Sequence, residues 1–388
     1  MSYLNEERIR REYGFLDELV HVNTCSVGIP PLRTQVASRE FMEKDFLPMA
    51  FDSTRVNFGQ LRQSVRKQLA RLIHASPDEI AFTKNTTEGT MFLAQGYALK
   101  PGDNVVICDL EIGSNLYPWV QASQQRGFAL RILKTNGRMI TTEEYLNAID
   151  EHTKIVSISA VQAHSGIRVD IARLSHFCHE RGGILAVDAI QALGRLDVDV
   201  EACGIDYLSC GGFKGLLSGF GIGFVYCRNS LTPYVMPVSA DENTVELPAG
   251  EDDTLIPDGP FTFLSNAERF EYGSMNTPGI MLMHHSLSLL EDLGMQNVEQ
   301  HVLTLEQMLR HELSDVKLDI LPRGELPSGM VVAYYPKRHF EQVDYLLRAA
   351  GIRMTHRPGY LRLSIGVHNT AQDVERIVNT FRNIAQLS

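Results

Sequence analysis

The sequence predicts an α/β protein in which a mostly parallel β-sheet is flanked by helices and is followed by a smaller α+β C-terminal domain. Apolar strand patterns alternate with helical patterns over 80–227. An acidic, Pro- and Gly-rich stretch at 238–262 then interrupts the alternation. The 388 residues are enough for two domains. We place the larger at 21–276 and assemble the smaller from 1–20 and 277–388.

Apolar periodicity predicts the elements up to residue 227, because one face of a helix recurs every three to four residues and one face of a strand every second residue. The predicted helices are 5–19, 31–46, 58–74, 84–99, 114–126, 142–150 and 170–181. The predicted strands are 20–23, 80–83, 104–109, 128–134, 154–159, 184–187, 206–210 and 221–227. Alternation of this kind favours parallel pairing, since each helix returns the chain to the starting edge of the sheet.

The C-terminal part is predicted to mix helices with short strands. Its predicted helices are 277–293, 296–314, 338–350 and 370–386, and its predicted strands are 317–320, 329–335, 352–355 and 360–364. The preceding stretch, 238–262, is aperiodic, and we expect either a long excursion that acts as a lid or an ordinary surface loop. The N-terminal helix is expected to pack on this domain.

Composition and charge exclude several classes of protein. The chain is 44% hydrophobic and 21% charged, as in ordinary globular proteins. Its net charge of -11 argues against nucleic acid or a membrane surface as a partner, because both are bound by clustered Lys and Arg. No apolar run approaches the ~20 residues that span a bilayer. The N-terminus lacks the apolar core of a secretory signal, so we expect a cytoplasmic protein.

The cysteines predict neither disulfides nor a metal site. Their spacing shows no pairs, which favours free thiols at Cys25, Cys108, Cys178, Cys203, Cys210 and Cys227. His176, Cys178 and His179 are close in sequence but fall on a helical pattern, where residues two apart face different directions. We therefore expect no metal there.

Asp188 and Lys214 form the pair of residues that points most directly to chemistry. Asp188 ends the apolar run 184–187, and Lys214 follows the run 207–210 within the glycine-rich GGFKGLLSG. Both should face the crevice at the carboxyl ends of the strands, where open α/β sheets bind ligands. Pyridoxal phosphate needs a lysine amine for its aldehyde and a carboxylate for its ring nitrogen. Taken singly, the two residues also fit a strand-end cap and a solvated loop lysine.

A second feature, Thr86-Thr87-Glu88-Gly89, follows a strand and opens a helix. The N-terminus of a helix offers unpaired N–H groups, and the hydroxyls add donors, so this is a natural phosphate site. By itself the pattern also fits an ordinary threonine N-cap.

With these motifs in this order, the chain resembles the class V aminotransferase and cysteine desulfurase superfamily, from VHVNTCSVGIPP to LRLSIGVHNT. The resemblance implies a pyridoxal-phosphate-dependent transferase fold, pyridoxal 5'-phosphate as the cofactor, and an amino acid or a close analogue as the substrate. It also implies a homodimer.

The resemblance implies a role for each matching residue around the cofactor. Lys214 matches the lysine that forms the Schiff base, and Asp188 and Gln191 match the residues at the ring nitrogen and the ring hydroxyl. Thr86 and Thr87 match the residues that hold the phosphate.

Further matches concern the substrate and the partner subunit. Gln162 matches a polar position beside the ring and the substrate carboxylate, and Arg362 matches the arginine that binds this carboxylate. Asn23, in NTCSVG, is expected in the substrate pocket. The segment RFEYGSMNT (Arg269–Thr277) matches one that reaches into the neighbouring site, so Ser274 should contact the phosphate bound by the partner.

Three positions depart from the family pattern. Ile112 stands where a His or an aromatic residue usually stacks on the ring, and it offers neither a ring nor a titratable nitrogen. Phe213 replaces the His that often precedes the lysine and donates to the phosphate. The loop 351–360 lacks the nucleophilic cysteine of desulfurases, so persulfide formation by that route is not expected.

The sequence thus predicts a pyridoxal-phosphate-dependent transaminase or β-lyase of the C–S lyase type, with Lys214 as the general base. Epimerase, decarboxylating and desulfurase-like activities stay open as alternatives. A non-catalytic homologue on the same scaffold also stays open, because Ile112 and Phe213 are apolar where the family has polar groups.

Overall fold

The computed structural model describes most of the chain, namely residues 4, 6–16, 18–49, 51, 58–135, 137, 139–246 and 260–387. Of the expected lid at 238–262, the part 247–259 lies outside the described residues.

Twelve α-helices are present in the described ranges, and a π-helical segment, Phe41–Phe46, separates the second from the third. The helices are α1 Glu6–Tyr13, α2 Leu32–Glu40, α3 Leu47–Met49, α4 Phe58–Ile73, α5 Thr86–Gly96, α6 Gly113–Arg126, α7 Thr142–Leu146, α8 Ile171–His179, α9 Thr277–Leu293, α10 Met295–Glu312, α11 Phe340–Ala349 and α12 Ala371–Ala385.

Thirteen strands accompany them in the same ranges and form three sheets. The strands are β1 Val20–His21, β2 Ile80–Thr83, β3 Asn104–Cys108, β4 Ala129–Leu133, β5 Thr153–Ser159, β6 Ile184–Asp188, β7 Tyr207–Gly211, β8 Gly223–Cys227, β9 Asp319–Ile320, β10 Met330–Tyr334, β11 Ile352–Arg353, β12 Thr355–Arg357 and β13 Tyr360–Ser364.

The central sheet has seven strands in the order β2-β8-β7-β6-β5-β3-β4. The pairs from β7 to β4 are parallel, and β8 runs antiparallel to both of its neighbours. The predicted fold class, a mostly parallel sheet flanked by helices, is therefore confirmed. Parallel pairing also places the carboxyl ends of β5, β6 and β7 at one edge.

Helices cover both faces of this sheet, because successive side chains of a strand point to opposite faces. Val105 and Ile107 belong to one buried cluster with Phe92 of α5 and Trp119 of α6. Val106 belongs to the other cluster, together with residues of α4 and α8. The strands therefore read as continuous apolar runs, as expected of a sheet that is buried on both faces.

The C-terminal part forms a four-stranded antiparallel sheet in the order β12-β13-β10-β9. The apolar cluster that covers it includes Val331, Leu363 and Phe381 together with Ile9 and Tyr13 of α1. The strand β1 also pairs in parallel with β11. This packing supports the proposal that the N-terminal segment belongs with the C-terminal domain.

Some predicted elements differ from the structure. The helix expected at 142–150 ends at Leu146. The single strand expected at 352–355 is two strands, because β11 pairs with β1 whereas β12 pairs with β13. For the two strands, the pairing partner decides where each one ends.

Among the described residues, no helix has the combination of length and apolar character that crossing a membrane requires. All six cysteines are free, and Cys203 is the only one that is not fully buried.

Candidate active site

The structure brings Asp188 and Lys214 together at the carboxyl edge of the central sheet. Asp188 is the last residue of β6, and Lys214 comes three residues after the end of β7. Both side chains are buried, with 2% and 6% of their surface exposed. Burial lowers the pKa of Lys214, whereas the nearby Asp188 raises it. The amine therefore loses its proton more readily than an exposed lysine does.

Lys214 is held by the turn after β6 and by the N-terminal segment. With its amide oxygen turned toward the lysine, Gln191 accepts a hydrogen bond from Nζ at 3.1 Å and donates one to the Cys25 carbonyl at 3.2 Å. Gly28 packs on the lysine backbone so closely that a Cβ would lie 1.9 Å from the Lys214 carbonyl oxygen. Only glycine fits at this point of NTCSVG.

The two carboxylate oxygens of Asp188 have different surroundings. Oδ1 accepts a hydrogen bond from the Ile190 N–H at 3.0 Å. Oδ2 is buried and has no hydrogen-bond partner in the described part of the chain. Burial raises the pKa of Asp188 to about 7, against the smaller lowering effects of the Ile190 N–H and of Lys214. A cation placed opposite Oδ2 would stabilise the carboxylate, because an unpaired buried charge is costly.

Thr86 and Thr87 begin α5, and Asn85 caps the helix by accepting a hydrogen bond from the Glu88 N–H at 3.0 Å. The Thr86 hydroxyl accepts from the Gly211 N–H at 3.0 Å, so it ties α5 to the end of β7. Thr87 is exposed. The helix N-terminus therefore lies next to the strand that leads to Lys214.

A buried carboxylate that the sequence analysis assigned no role, Glu111, holds Gln162 in place. Glu111 accepts hydrogen bonds from the Gln162 amide at 2.6 Å, from the Ser159 N–H at 2.8 Å and hydroxyl at 2.5 Å, and from the Asn115 amide at 2.9 Å. Burial raises the pKa of Glu111, and these donors lower it. The spacing of Glu111 and Asn115, four residues apart at a helix start, was the available sequence signal.

This network leaves Gln162 with one unused atom. Its amide nitrogen is engaged by Glu111, whereas its amide oxygen is buried and has no partner among the residues described. Ile112, one residue after Glu111, is partly buried at the start of α6.

Arg362 lies on β13 of the four-stranded sheet and reaches toward the segment that follows β5 of the central sheet. It donates to the Ala163 carbonyl, to the Ser26 hydroxyl at 2.6 Å and to the Thr355 hydroxyl at 3.0 Å. Thr355 in turn donates to the Asn23 side chain at 2.7 Å, so Arg362 and Asn23 share a partner. Arg362 Nε is buried without a partner in the described ranges.

Two further predicted positions have surroundings of their own. Ser274 is exposed and lines a cavity of about 340 Å³ with Lys84 and Tyr272, to which neither Asp188 nor Lys214 contributes. Phe213 stacks on Phe220 with 4.7 Å between the ring centroids. Its side chain therefore serves packing and offers no donor to a phosphate.

These residues fit pyridoxal phosphate. Oδ2 of Asp188, Oε1 of Gln162 and Nε of Arg362 are buried polar atoms whose partners are missing from the described ranges. Such atoms are costly unless a ligand pairs with them. Asp188 would take the ring nitrogen, Lys214 the aldehyde and the start of α5 the phosphate.

Comparison with known proteins shows a family and a set of relatives. The model of a family described as "Aminotransferase class-V" matches residues 50–377. A curated protein from Methanothermobacter thermautotrophicus named "Probable cysteine desulfurase" is 28% identical, and the match covers 99% of each chain.

Solved structures share the fold. The apo structure of a cysteine desulfurase from Thermococcus onnurineus superimposes with a TM-score of 0.84, at 22% identity and over 100% of both chains. The cystine C-S lyase C-DES, in complex with its reaction product cysteine persulfide, superimposes with a TM-score of 0.83 at 17% identity, over 96% of this chain and 100% of that one. The predicted fold is thereby confirmed.

Proposed function

We propose that this chain, which belongs to the aminotransferase class-V family, is a lyase that removes a sulfur β-substituent from an amino acid. Membership of the family confirms two predictions, that the protein is an enzyme and that its cofactor is pyridoxal phosphate. The observation that carries the proposal is one buried site that holds Lys214, Asp188 and Arg362, with no cysteine in the loop 351–360.

Lys214 and Asp188 have complementary tasks in the proposed reaction. When bound, pyridoxal phosphate withdraws electrons from the carbon that bears the substrate amine. Asp188 holds the positive charge of the ring nitrogen with its free Oδ2. Lys214 anchors the cofactor and later takes the proton from the substrate carbon, and its lowered pKa favours the free amine that this needs.

Arg362 orients the substrate by its carboxylate. Nη1 donates to the Ala163 carbonyl, whereas Nη2 donates to the hydroxyls of Ser26 and Thr355. A carboxylate can displace these hydroxyls because charge-assisted bonds are stronger. Nε adds a donor with no partner in the described chain. Holding the carboxylate fixes which bond of the substrate carbon faces Lys214.

The fate of the sulfur separates this proposal from desulfurase chemistry. A persulfide-forming enzyme needs a mobile thiolate that attacks the substrate sulfur. The loop 351–360 that leads to Arg362 contains β11 and β12 and has no cysteine. We therefore infer that sulfur leaves as sulfide or a small thiol, together with ammonia and a keto acid formed by hydrolysis. The curated relative named a cysteine desulfurase supports cysteine and its derivatives as the substrates.

The test is a panel of amino acids given to holoprotein without any keto acid, with ammonia and sulfide measured. We expect many turnovers on sulfur amino acids, none in Lys214→Ala, and unchanged turnover in Lys134→Ala, which removes an exposed lysine. A transaminase, the alternative, would convert one equivalent of amino acid per cofactor and then stop, and it would release no ammonia. A protein that takes up no pyridoxal phosphate would instead support the alternative of a non-catalytic homologue on the same scaffold.

We also propose that the enzyme is a homodimer in which Ser274 contacts the phosphate bound by the partner. The support is the exposure of Ser274 and its place in a cavity beside Lys84, two residues before the start of α5. Its location in the cytoplasm is likewise our proposal.

A further inference from the structure

Arg195 is a buried arginine in the turn that follows β6, with 1% of its surface exposed. All five of its N–H groups are used, and the acceptors come from four separate segments of the chain. The acceptors are the carbonyls of Ile365 at 2.6 Å, Gln191 at 2.8 Å, Ser328 at 3.0 Å and Gly329 at 2.6 Å, and the sulfur of Cys25 at 2.9 Å.

The charge of Arg195 has an unusual environment. In the described part of the chain, no carboxylate forms an ion pair with it. A buried cation without an anion is strongly unfavourable, and four of its five acceptors are neutral carbonyls. The Cys25 sulfur is therefore the one contacting group that can supply a negative charge.

The contact itself has the length of a charge-assisted bond. Nη1 of Arg195 lies 2.9 Å from the Cys25 sulfur, a separation ordinary for an oxygen acceptor although sulfur is larger. A protonated thiol would need an acceptor of its own. The nearest candidate, the Gln191 carbonyl, is 3.9 Å away, so it holds such a proton weakly.

We propose that Cys25 is a thiolate paired with Arg195, and that this thiolate is a second negative charge, besides Asp188, acting on Lys214. The proposal rests on the proposed function in so far as Lys214 is the lysine that anchors the cofactor. Gln191 connects the two parts, because its backbone carbonyl binds Arg195 while its side-chain amide bridges the Cys25 carbonyl and Lys214 Nζ.

Several charged and titratable groups surround Lys214. Asp188, Cys25 and Cys210 each raise the pKa of Lys214, and Arg362 lowers it. His164 also faces it, and Tyr360 faces Cys25. A permanent negative charge at Cys25 would keep the Lys214 amine protonated up to a higher pH. It would have the same effect on this nitrogen when it is joined to the cofactor.

Cys25 acts through Lys214 and is a positioning residue. Only 1% of its surface is exposed, and its sulfur points to Arg195 in the layer between the two domains. The thiolate is therefore not a nucleophile for the substrate.

The first test follows the absorbance of the bound cofactor as a function of pH in holoprotein. We expect Cys25→Ser to move the midpoint of this titration down by about one pH unit, since a serine hydroxyl carries no charge. The matched control is Cys178→Ser. Cys178 is also a buried cysteine, but burial raises the pKa of its thiol to about 12 and it is not among the groups that act on Lys214, so its replacement should leave the midpoint unchanged. Equal midpoints for wild type and Cys25→Ser would overturn the proposal.

The second test detects the thiolate without using activity or the cofactor. The ultraviolet thiolate absorbance of apoprotein at neutral pH should fall by one equivalent in Cys25→Ser and in Arg195→Met, and stay unchanged in Cys178→Ser. Arg195→Lys keeps a positive charge and should retain the thiolate. It serves as the test if Arg195→Met does not fold. The same absorbance in wild type and Cys25→Ser refutes the ion pair. Absence of any cofactor band with the thiolate present would refute the proposed function alone.

Discussion

Asp188 combines burial, a raised pKa and an unpaired oxygen in one residue. Its pKa rises from 3.8 to about 7 because burial disfavours the charged form. The folded protein without cofactor therefore binds a proton that the unfolded chain has already released. Stability contributed by the neutral form is complete below pH ~4 and is lost as the pH rises toward 7.

Asp188→Asn should separate stability from function. Without cofactor, we expect the variant to be more stable at pH 7 by on the order of 2 to 4 kcal/mol, and equal to wild type near pH 4. The amide cannot neutralise a protonated ring nitrogen, so turnover should fall about a hundredfold. Urea unfolding at both pH values and the ammonia assay measure the two effects. A variant that is less stable at pH 7 would contradict this account of Asp188.

Glu111 contributes to stability because both of its carboxylate oxygens accept hydrogen bonds from buried donors. Glu111→Gln keeps the shape of the side chain but replaces one acceptor oxygen by an amide N–H that faces the donors of Ser159, Gln162 or Asn115. We expect a loss of about 2 to 4 kcal/mol in the free energy of unfolding.

The control for this change is Glu151→Gln, at an exposed glutamate on the surface. It should alter stability by no more than about 0.5 kcal/mol. Equal effects of the two substitutions in denaturant unfolding would show that the Glu111 network contributes nothing.

At the scale of elements, α5 matters because its first turn must approach the end of β7. Gly89 makes this possible: a Cβ there would lie 2.7 Å from Val225 Cγ1 and 2.9 Å from Ser209 Cβ. The Thr86–Gly211 hydrogen bond depends on the same close approach. The proposed phosphate site is therefore positioned by helix packing as well as by the helix dipole.

Gly89→Ala should push α5 away from the sheet. We expect a loss of about 1 to 3 kcal/mol in stability and weaker binding of pyridoxal phosphate, since overpacking shifts the backbone that carries Thr86. Gly14→Ala is the matched control, because nothing lies within 4 Å of its added Cβ. Thermal unfolding and a cofactor titration distinguish them, and unchanged cofactor affinity in Gly89→Ala would contradict the role of α5.

At the scale of the whole molecule, the proposed site joins two sheets. Asp188 ends β6 of the central sheet and Lys214 follows β7, whereas Arg362 lies on β13 of the four-stranded sheet. Arg195 also binds carbonyls of both domains. Relative movement of the two domains would therefore change the distance between the proposed carboxylate site and the lysine.

Mixed dimers should show whether the site also spans two subunits. Lys214→Ala and Ser274→Ala chains should each have low activity alone. Mixed and reassociated, they should regain up to about a quarter of the wild-type activity, because half of the dimers then hold one site with both residues intact. No recovery, despite dimers exchanging subunits, would place Ser274 in its own chain's site.

Several features of this protein were readable from the sequence by itself. The alternation of apolar strands and helices over 80–227 predicted the layered sheet, since a strand buried on both faces must be apolar throughout. Asp188 and Lys214 were found because the carboxyl ends of parallel strands meet at one edge. The family followed from the order of these motifs.

Other features were decided only by the tertiary structure. The split between β11 and β12, the contact of Arg195 with Cys25 across 170 residues, and the network of Glu111 all join residues that are distant along the chain. Periodicity reports which face of an element is buried, but it does not report what lies opposite. Hydrogen bonds between buried polar groups depend on that second surface, because their partners are brought near only when distant segments of the chain fold against one another.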